Sequence, residues 1–259
     1  MTFIHRSLRR DMDLLRLLTH KEVTLQYKRT TLGIFWSLLN PLLLALVFYI
    51  AFTVILGVQI TEFPLFLLSA LFPWTWFSNS VSALTVSFVN NRSLVTKIPF
   101  PKHFLLIAGV ISQGIHFLFS IPIIVLLVYF YGRSMDPVWL IGIPLLSLIQ
   151  FVMTLGASMA VSTINVYFRD FQFIVAFLLN LFFWMTPIIY QLEAVPEAYR
   201  SLFMYLNPMT SLISLWRTLF MSNTLDLGWL GIATLGSLIT FSGGILVFRR
   251  LTKRMDEVL

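Results

Sequence analysis

Six stretches free of Asp, Glu, Lys and Arg organise this chain. They lie between Arg29 and Glu62, Glu62 and Arg92, His103 and Arg133, Asp136 and Arg169, Asp170 and Glu193, and Asp226 and Arg249. Each exceeds the roughly 20 apolar residues that a helix needs to cross a bilayer. The pattern predicts an all-α membrane protein with six transmembrane helices over residues 32–58, 63–89, 104–131, 138–165, 171–190 and 227–248. What remains is a leading segment (1–30), a polar loop (91–103), a segment between the last two spans (191–226) and a short tail (249–259), all within one transmembrane domain.

The leading segment carries Ile4, Leu8, Met12, Leu15 and Leu18 at helical spacing, with Arg6, Arg9, Arg10, Asp13 and Arg16 pointing elsewhere. Asp11 and Glu22 blur the stripe. This predicts an amphipathic helix at the membrane interface; a polar tail that happens to contain leucines is the other reading. Prolines interrupt several spans: Asn40-Pro41 in the first, Pro122 in the third, Pro144 in the fourth, and Thr186-Pro187 at the end of the fifth. They predict broken or kinked helices held by a surrounding bundle. Between the fifth and sixth spans, residues 201–216 are uncharged but too short to cross, with Asn207-Pro208 in their midst. A re-entrant helical hairpin and an interfacial helix both fit.

Charge then orients the map. Fifteen of the eighteen Lys and Arg residues fall in four places: 1–29, 91–103, Arg169 and 249–259. Only Arg133, Arg200 and Arg217 fall on the other side of a six-span alternation. The positive-inside rule therefore puts both termini in the cytoplasm and residues 191–226 outside. The formal net charge of +7 lies beside membrane segments, where anionic headgroups account for it without nucleic acid. Hydrophobic residues make up 58% of the chain and charged ones 11%, far from soluble globular usage. Six spans leave no room for a separate soluble domain, so soluble machinery would come from another chain. The first residues lack the features of a cleavable signal peptide. Trp74, Trp76, Trp139 and Trp229 are expected near span ends as anchors in the outer aromatic belt.

Candidate chemistry is sparse. With no cysteine, disulfides and thiolate metal sites are excluded. No Gly-Lys pair exists, so there is no phosphate-binding loop, and no metalloprotease or serine-hydrolase motif occurs. The chain is not expected to be an enzyme or to carry a cofactor or metal. The only ionisable group inside a predicted span is His116, which reads as an interhelical hydrogen-bonding residue with no evident partner or, alternatively, as lining a pathway. Ion-coupled transporters usually bury carboxylates along their paths, and that class is disfavoured.

The informative loop is Asn90-Asn-Arg-Ser-Leu-Val-Thr-Lys-Ile-Pro-Phe-Pro-Lys-His103. Asn90 or Asn91 is placed to cap a short helix that Pro99 and Pro101 end. Leu94, Val95 and Ile98 would form an apolar face that calls for a partner or rests on the membrane surface.

These residues resemble a known family. Tyr27-Lys-Arg-Thr-Thr-Leu-Gly-Ile-Phe-Trp-Ser-Leu-Leu-Asn-Pro-Leu42 is similar to the entry of the first span in permeases of the ABC-2 polysaccharide exporters. Asn91-Arg-Ser-Leu-Val-Thr-Lys-Ile-Pro-Phe-Pro101 is similar to their cytoplasmic coupling segment, and Val166–Asp170, Thr186–Tyr190 and Leu206–Pro208 resemble later landmarks in the same order. The resemblance covers nearly the whole chain. It implies the transmembrane half of an ATP-driven exporter of lipid-linked polysaccharide, such as O antigen, in the bacterial inner membrane. It further implies a homodimer of this chain with two copies of an ATPase subunit that carries the ATP and Mg. By the same resemblance Asn91, Arg92, Leu94, Val95, Lys97, Ile98, Pro99, Phe100 and Pro101 would couple to the ATPase, and the first and fifth spans would line the path.

Along that path, aromatic faces suited to sugar rings would come from Phe35, Trp36, Tyr49, Phe177, Trp184 and Tyr190, although lipid-facing packing is open to each. Lys28 and Arg29 either grip a lipid headgroup or simply anchor the first span. A permease for a drug or small lipid shares the same fold, and a passive channel or scaffold is a further alternative.

Overall fold

A computed structural model describes residues 2–26, 33, 35–97, 100–200 and 207–258, with the side chains of residues 2–10, 256 and 257 left aside. Among these residues the chain is helical throughout, without strands. Helix α1 spans Thr2–Gln26. Helix α2, Phe35–Phe48, continues into a π-helical stretch over Tyr49–Ile55. Then follow α3 (Phe63–Thr85), the short α4 (Ser87–Asn90) and α5 (Arg92–Lys97), α6 (His103–Phe130), α7 (Val138–Tyr167) and α8 (Phe171–Met185). After residues 201–206 come α9 (Pro208–Ser222), α10 (Leu227–Leu251) and a terminal turn, α11 (Met255–Val258).

Among the described residues, four helical stretches are long and apolar enough to cross a membrane: Phe35–Ile55, His103–Phe130, Val138–Tyr167 and Leu227–Arg254. Two predicted spans stand apart for physical reasons. Helix α3 has the length, but serines, threonines, prolines and tryptophans dilute its hydropathy. It can carry them because it is the buried centre of the bundle, where Ser69, Ser80 and Thr85 return their hydroxyls to the carbonyls of Phe66, Trp76 and Val81 at 2.7–2.8 Å. Helix α8 is apolar but has only 15 residues. Thr186 is extended, as a residue preceding proline tends to be, and this ends the helix.

Direction follows from paired contacts. Tyr49 lies near Phe63 while Asn40 shares a cavity with Thr75, so α2 and α3 are antiparallel. Trp76 stacks on Phe117 at 5.2 Å while Leu84 approaches Gly109, making α3 and α6 antiparallel too. Helices α7 and α10 run parallel: Ser237 bonds the Ile149 carbonyl at 2.9 Å, and seven residues on in both helices Gly244 meets Gly156.

Several expectations are corrected here. Trp74, Trp76 and Trp139 are buried rather than belt anchors, because α3 lies inside the bundle and Trp139 packs on Phe220. Only Trp229 stays half-exposed. On α1, Leu14, Leu15 and Leu18 form the packed face toward the bundle, whereas Met12 is 55% exposed. Pro41, Pro73, Pro122 and Pro144 all lie within continuing helices.

Candidate functional site

The bundle end that carries α4 and α5 holds the loop singled out from sequence. Asn91 precedes α5, but its side chain does not cap it. The Asn91 Nδ2 donates to the Ser87 carbonyl at 2.9 Å and its Oδ1 accepts from Lys21 Nζ at 2.6 Å, pinning α1 to the loop. The apolar face also turns the other way from expectation. Val95 is 4% exposed and Leu94 packs against the core, so α5 seats its apolar side on its own chain. Arg92, Ser93, Thr96 and Lys97 form the exposed side. Phe100 is half-buried and Pro101 exposed. Ile98 and Pro99 lie outside the described residues, as do Lys28 and Arg29.

Helices α2 and α8 flank α3 on one side and touch through stacked Phe48 and Phe183, 5.9 Å apart, with Trp74 edge-on to Phe183. Of the aromatics predicted on a path, Phe35, Trp36, Tyr49, Phe177 and Trp184 are exposed. Tyr190 is half-buried and donates to the Trp184 carbonyl at 3.0 Å. Five of the six are thus exposed, although Trp36 also lines a cavity.

That cavity was not legible in the sequence. A chamber of about 420 Å³ opens between the end of α1, the start of α2, and the middles of α3 and α6. Its polar lining comes from Gln26, Asn40, Thr75, Asn79, Gln113 and His116, among others, and its ring faces from Trp36 and Trp76. His116 has a partner after all: Gln26 Oε1 lies 3.2 Å from His116 Nε2 and 3.2 Å from Gln113 Nε2, joining α1 to α6. A second space of about 350 Å³ shares Gln26 and Gln113 with the first and continues past Ser80 and Ser112 to Asn90 and Asn91. Together they form a polar cleft leading from the α4–α5 end into the bundle.

At the opposite end the three arginines expected there are each tied down. Arg133 pairs with Glu62 at 2.7 Å and donates to the Met221 carbonyl, linking two inter-helix turns to the end of α9. Arg200 donates to the carbonyls of Val195 and Glu193, at 2.7 Å each. Arg217, on α9, donates to the carbonyls of Pro187 and Ile188 at 2.6 and 3.0 Å and lies 3.7 Å over the Phe66 ring. Burial lowers the pKa of its guanidinium, with Glu193 acting against that shift. Asn207 caps α9 by accepting from Met209 N at 3.1 Å and donates to Thr186 Oγ1 at 2.7 Å. Gln150 of α7 donates to the Pro73 carbonyl and accepts from Trp216 Nε1, both at 2.7 Å. The segment after α8 is therefore bolted to the bundle by polar contacts. The one sequence signal for this was Arg217, the sole charge between Arg200 and Asp226.

Comparison with known proteins adds the missing frame. The family model described as ABC-2 type transporter matches residues 13–221, from within α1 to the end of α9. An O-antigen export system permease protein RfbA of Klebsiella pneumoniae is 37% identical over 247 residues, 95% of each chain. The protein of the same name from Myxococcus xanthus is 37% identical over 222 residues, 85% of each chain. The polysialic acid transport protein KpsM of Escherichia coli is 22% identical over 242 residues, 91% of this chain and 92% of its own.

Proposed function

The chain belongs to the ABC-2 type transporter family, and on that footing we propose that it is the permease subunit of an ATP-driven exporter of lipid-linked polysaccharide, O antigen first among these. The observation that carries the reading is 37% identity to an O-antigen export permease over 95% of both chains. The substrate would pass from the cytoplasmic to the outer face of the bacterial inner membrane. Two copies of this chain would work with two ATPase subunits, which hold ATP and Mg and hydrolyse the nucleotide.

Six crossings with both termini in the cytoplasm are part of the proposal. Parallel α7 and α10 require the chain between them to return across the membrane once, which supports α8 and its extension as the fifth span. Helix α3, at 23 residues, reaches about 34 Å and spans the hydrocarbon core. The α4–α5 end then faces the cytoplasm and α9 belongs to a re-entrant outer segment.

ATP-driven closure of the ATPase pair would press on the 91–101 segment. The exposed Arg92, Ser93, Thr96 and Lys97 are the contacts toward the ATPase, while buried Val95 and Leu94 transmit the push to the bundle. Asn91, through Lys21, passes it also to α1. The path opens beside α2 and α8, where Phe35, Trp36, Tyr49, Phe177, Trp184 and Tyr190 offer ring faces to sugars. Lys28 and Arg29, just before α2, meet the lipid headgroup.

Deleting the gene and measuring surface polysaccharide together with lipid-linked glycan in the cell tests the reading. Loss outside with accumulation inside is the expected result. Unchanged pools in a strain without a redundant exporter would reject it in favour of a drug or small-lipid substrate.

A further inference from the structure

The polar cleft between α1, α2, α3 and α6 places neutral polar side chains and rings around one space. Its larger chamber presents amides, hydroxyls, one imidazole and aromatic faces, and no Asp, Glu, Lys or Arg among the described residues. Polar groups inside a membrane bundle are costly unless something satisfies them. Gln26, Gln113 and His116 partly satisfy one another. Asn40 and Asn79, in contrast, hold exposed amides toward the space. Ser112 Oγ, on the wall of the second chamber, is buried and lacks a partner among the described residues. Each chamber falls within the roughly 300–1,000 Å³ typical of small-ligand sites.

The lining discriminates among the parts of a lipid-linked glycan. A diphosphate calls for Arg or Lys with forked or multiple donors, and the described lining of the larger chamber consists of neutral groups. Gln26, Asn40, Asn79, Gln113 and His116 stand in its wall beside the rings of Trp36 and Trp76. Planar amides that both donate and accept, hydroxyls and flat rings match the alternating hydroxyl edges and apolar faces of sugars.

We infer that this cleft is a binding site for uncharged, hydroxyl-rich sugar units, formed within one copy of the chain and distinct from the α2–α8 side. The inference rests on the polysaccharide reading above and adds where the glycan is held. Entry runs past Asn90 and Asn91, so a sugar there lies next to the loop that meets the ATPase and to the Lys21–Asn91 bond. Occupancy is thereby coupled to the position of α1, whose Gln26 closes the cleft by its contacts to Gln113 and His116.

The chain contains no cysteine, so a single Asn79→Cys variant of the full-length protein reports on the cleft alone. Membranes from a host that makes its own lipid-linked glycan are compared with membranes from an isogenic host blocked at the first glycosyl transfer, using N-ethylmaleimide as the probe. A bound glycan slows modification by 1 + [L]/Kd, about fivefold or more once the glycan exceeds Kd several times. Lys253→Cys, on the exposed tail, is expected to react equally in both hosts. Equal reaction of Asn79→Cys in the two hosts, or none in either, overturns the assignment. If gene deletion abolishes export while this labelling is insensitive to glycan, only the cleft fails; if deletion leaves export intact, the functional reading fails first.

Discussion

Arg217 shows how a single side chain ties a non-helical stretch of backbone to the bundle. Beyond the end of α8 the backbone at Pro187 and Ile188 is not helical, and Arg217 reaches across from α9 to donate to both carbonyls while lying over the Phe66 ring. Charged hydrogen bonds contribute about 1.5–3 kcal/mol each, and removing the donor leaves buried carbonyls orphaned. Arg217→Gln is therefore expected to destabilise the protein by ~3 kcal/mol, a fall of roughly 6–12 °C in the melting midpoint of the detergent-purified chain. Arg217→Lys should recover part of that, since an ammonium supplies charge but not the planar fork. An unchanged midpoint for Arg217→Gln would remove the strut from the account. The sequence marked Arg217 as an isolated cation but not its target, because its partner carbonyls lie about thirty positions away and carry no residue signature. His116 failed to reveal Gln26 for the same reason, at a separation of 90. Leu94 and Val95 were read correctly as an apolar face and wrongly as an exposed one, because spacing tells which residues share a face and not what that face meets.

At the level of elements, long helices were the most legible feature, since a charge-free stretch of two dozen residues leaves few alternatives. Less legible were the central, buried position of α3, which was read only as one span among six, and the π-helical stretch over Tyr49–Ile55. The closest helix contact, α7 against α10, depends on an absent atom. A Cβ at Gly244 would land on the backbone of Gly156, and one at Gly156 on the backbone of Phe241. Small residues permit such an approach, and in a lipid solvent close packing is what holds helices together. Gly244→Ala should cost about 1–3 kcal/mol through forced separation of the two helices. Gly231→Ala on the same helix, where a methyl group meets nothing within 4 Å, should be neutral or slightly stabilising. Thermal unfolding of the two variants side by side separates packing from helix propensity, and equal midpoints would contradict the close approach.

For the whole molecule, the proposed pairing of two copies raises the question of which exposed surface meets lipid and which would meet the second copy. Two faces are candidates. Helix α10 exposes Leu235, Leu238, Ile239 and Leu246, an aliphatic surface suited to acyl chains. Helices α2 and α8 bury almost nothing within one copy, only Pro41 and Ala45 on the first and Val175 on the second, and expose Phe35, Trp36, Tyr49, Phe177 and Trp184 between aliphatic residues. Rings with polar edges suit a face that contacts both a neighbour and a hydrated polymer. A two-fold pair formed on this face would bring α2 of one copy toward α8 of the other. It would place the path between copies. In the cysteine-free background, Val47→Cys combined with Phe177→Cys should be joined between copies by a short bis-maleimide in native membranes, giving a dimer band. Ile239→Cys, 71% exposed on α10, should stay monomeric under the same treatment. Cross-linking confined to the α10 position would turn the assembly around, leaving the α2–α8 aromatics to lipid and removing the proposed path.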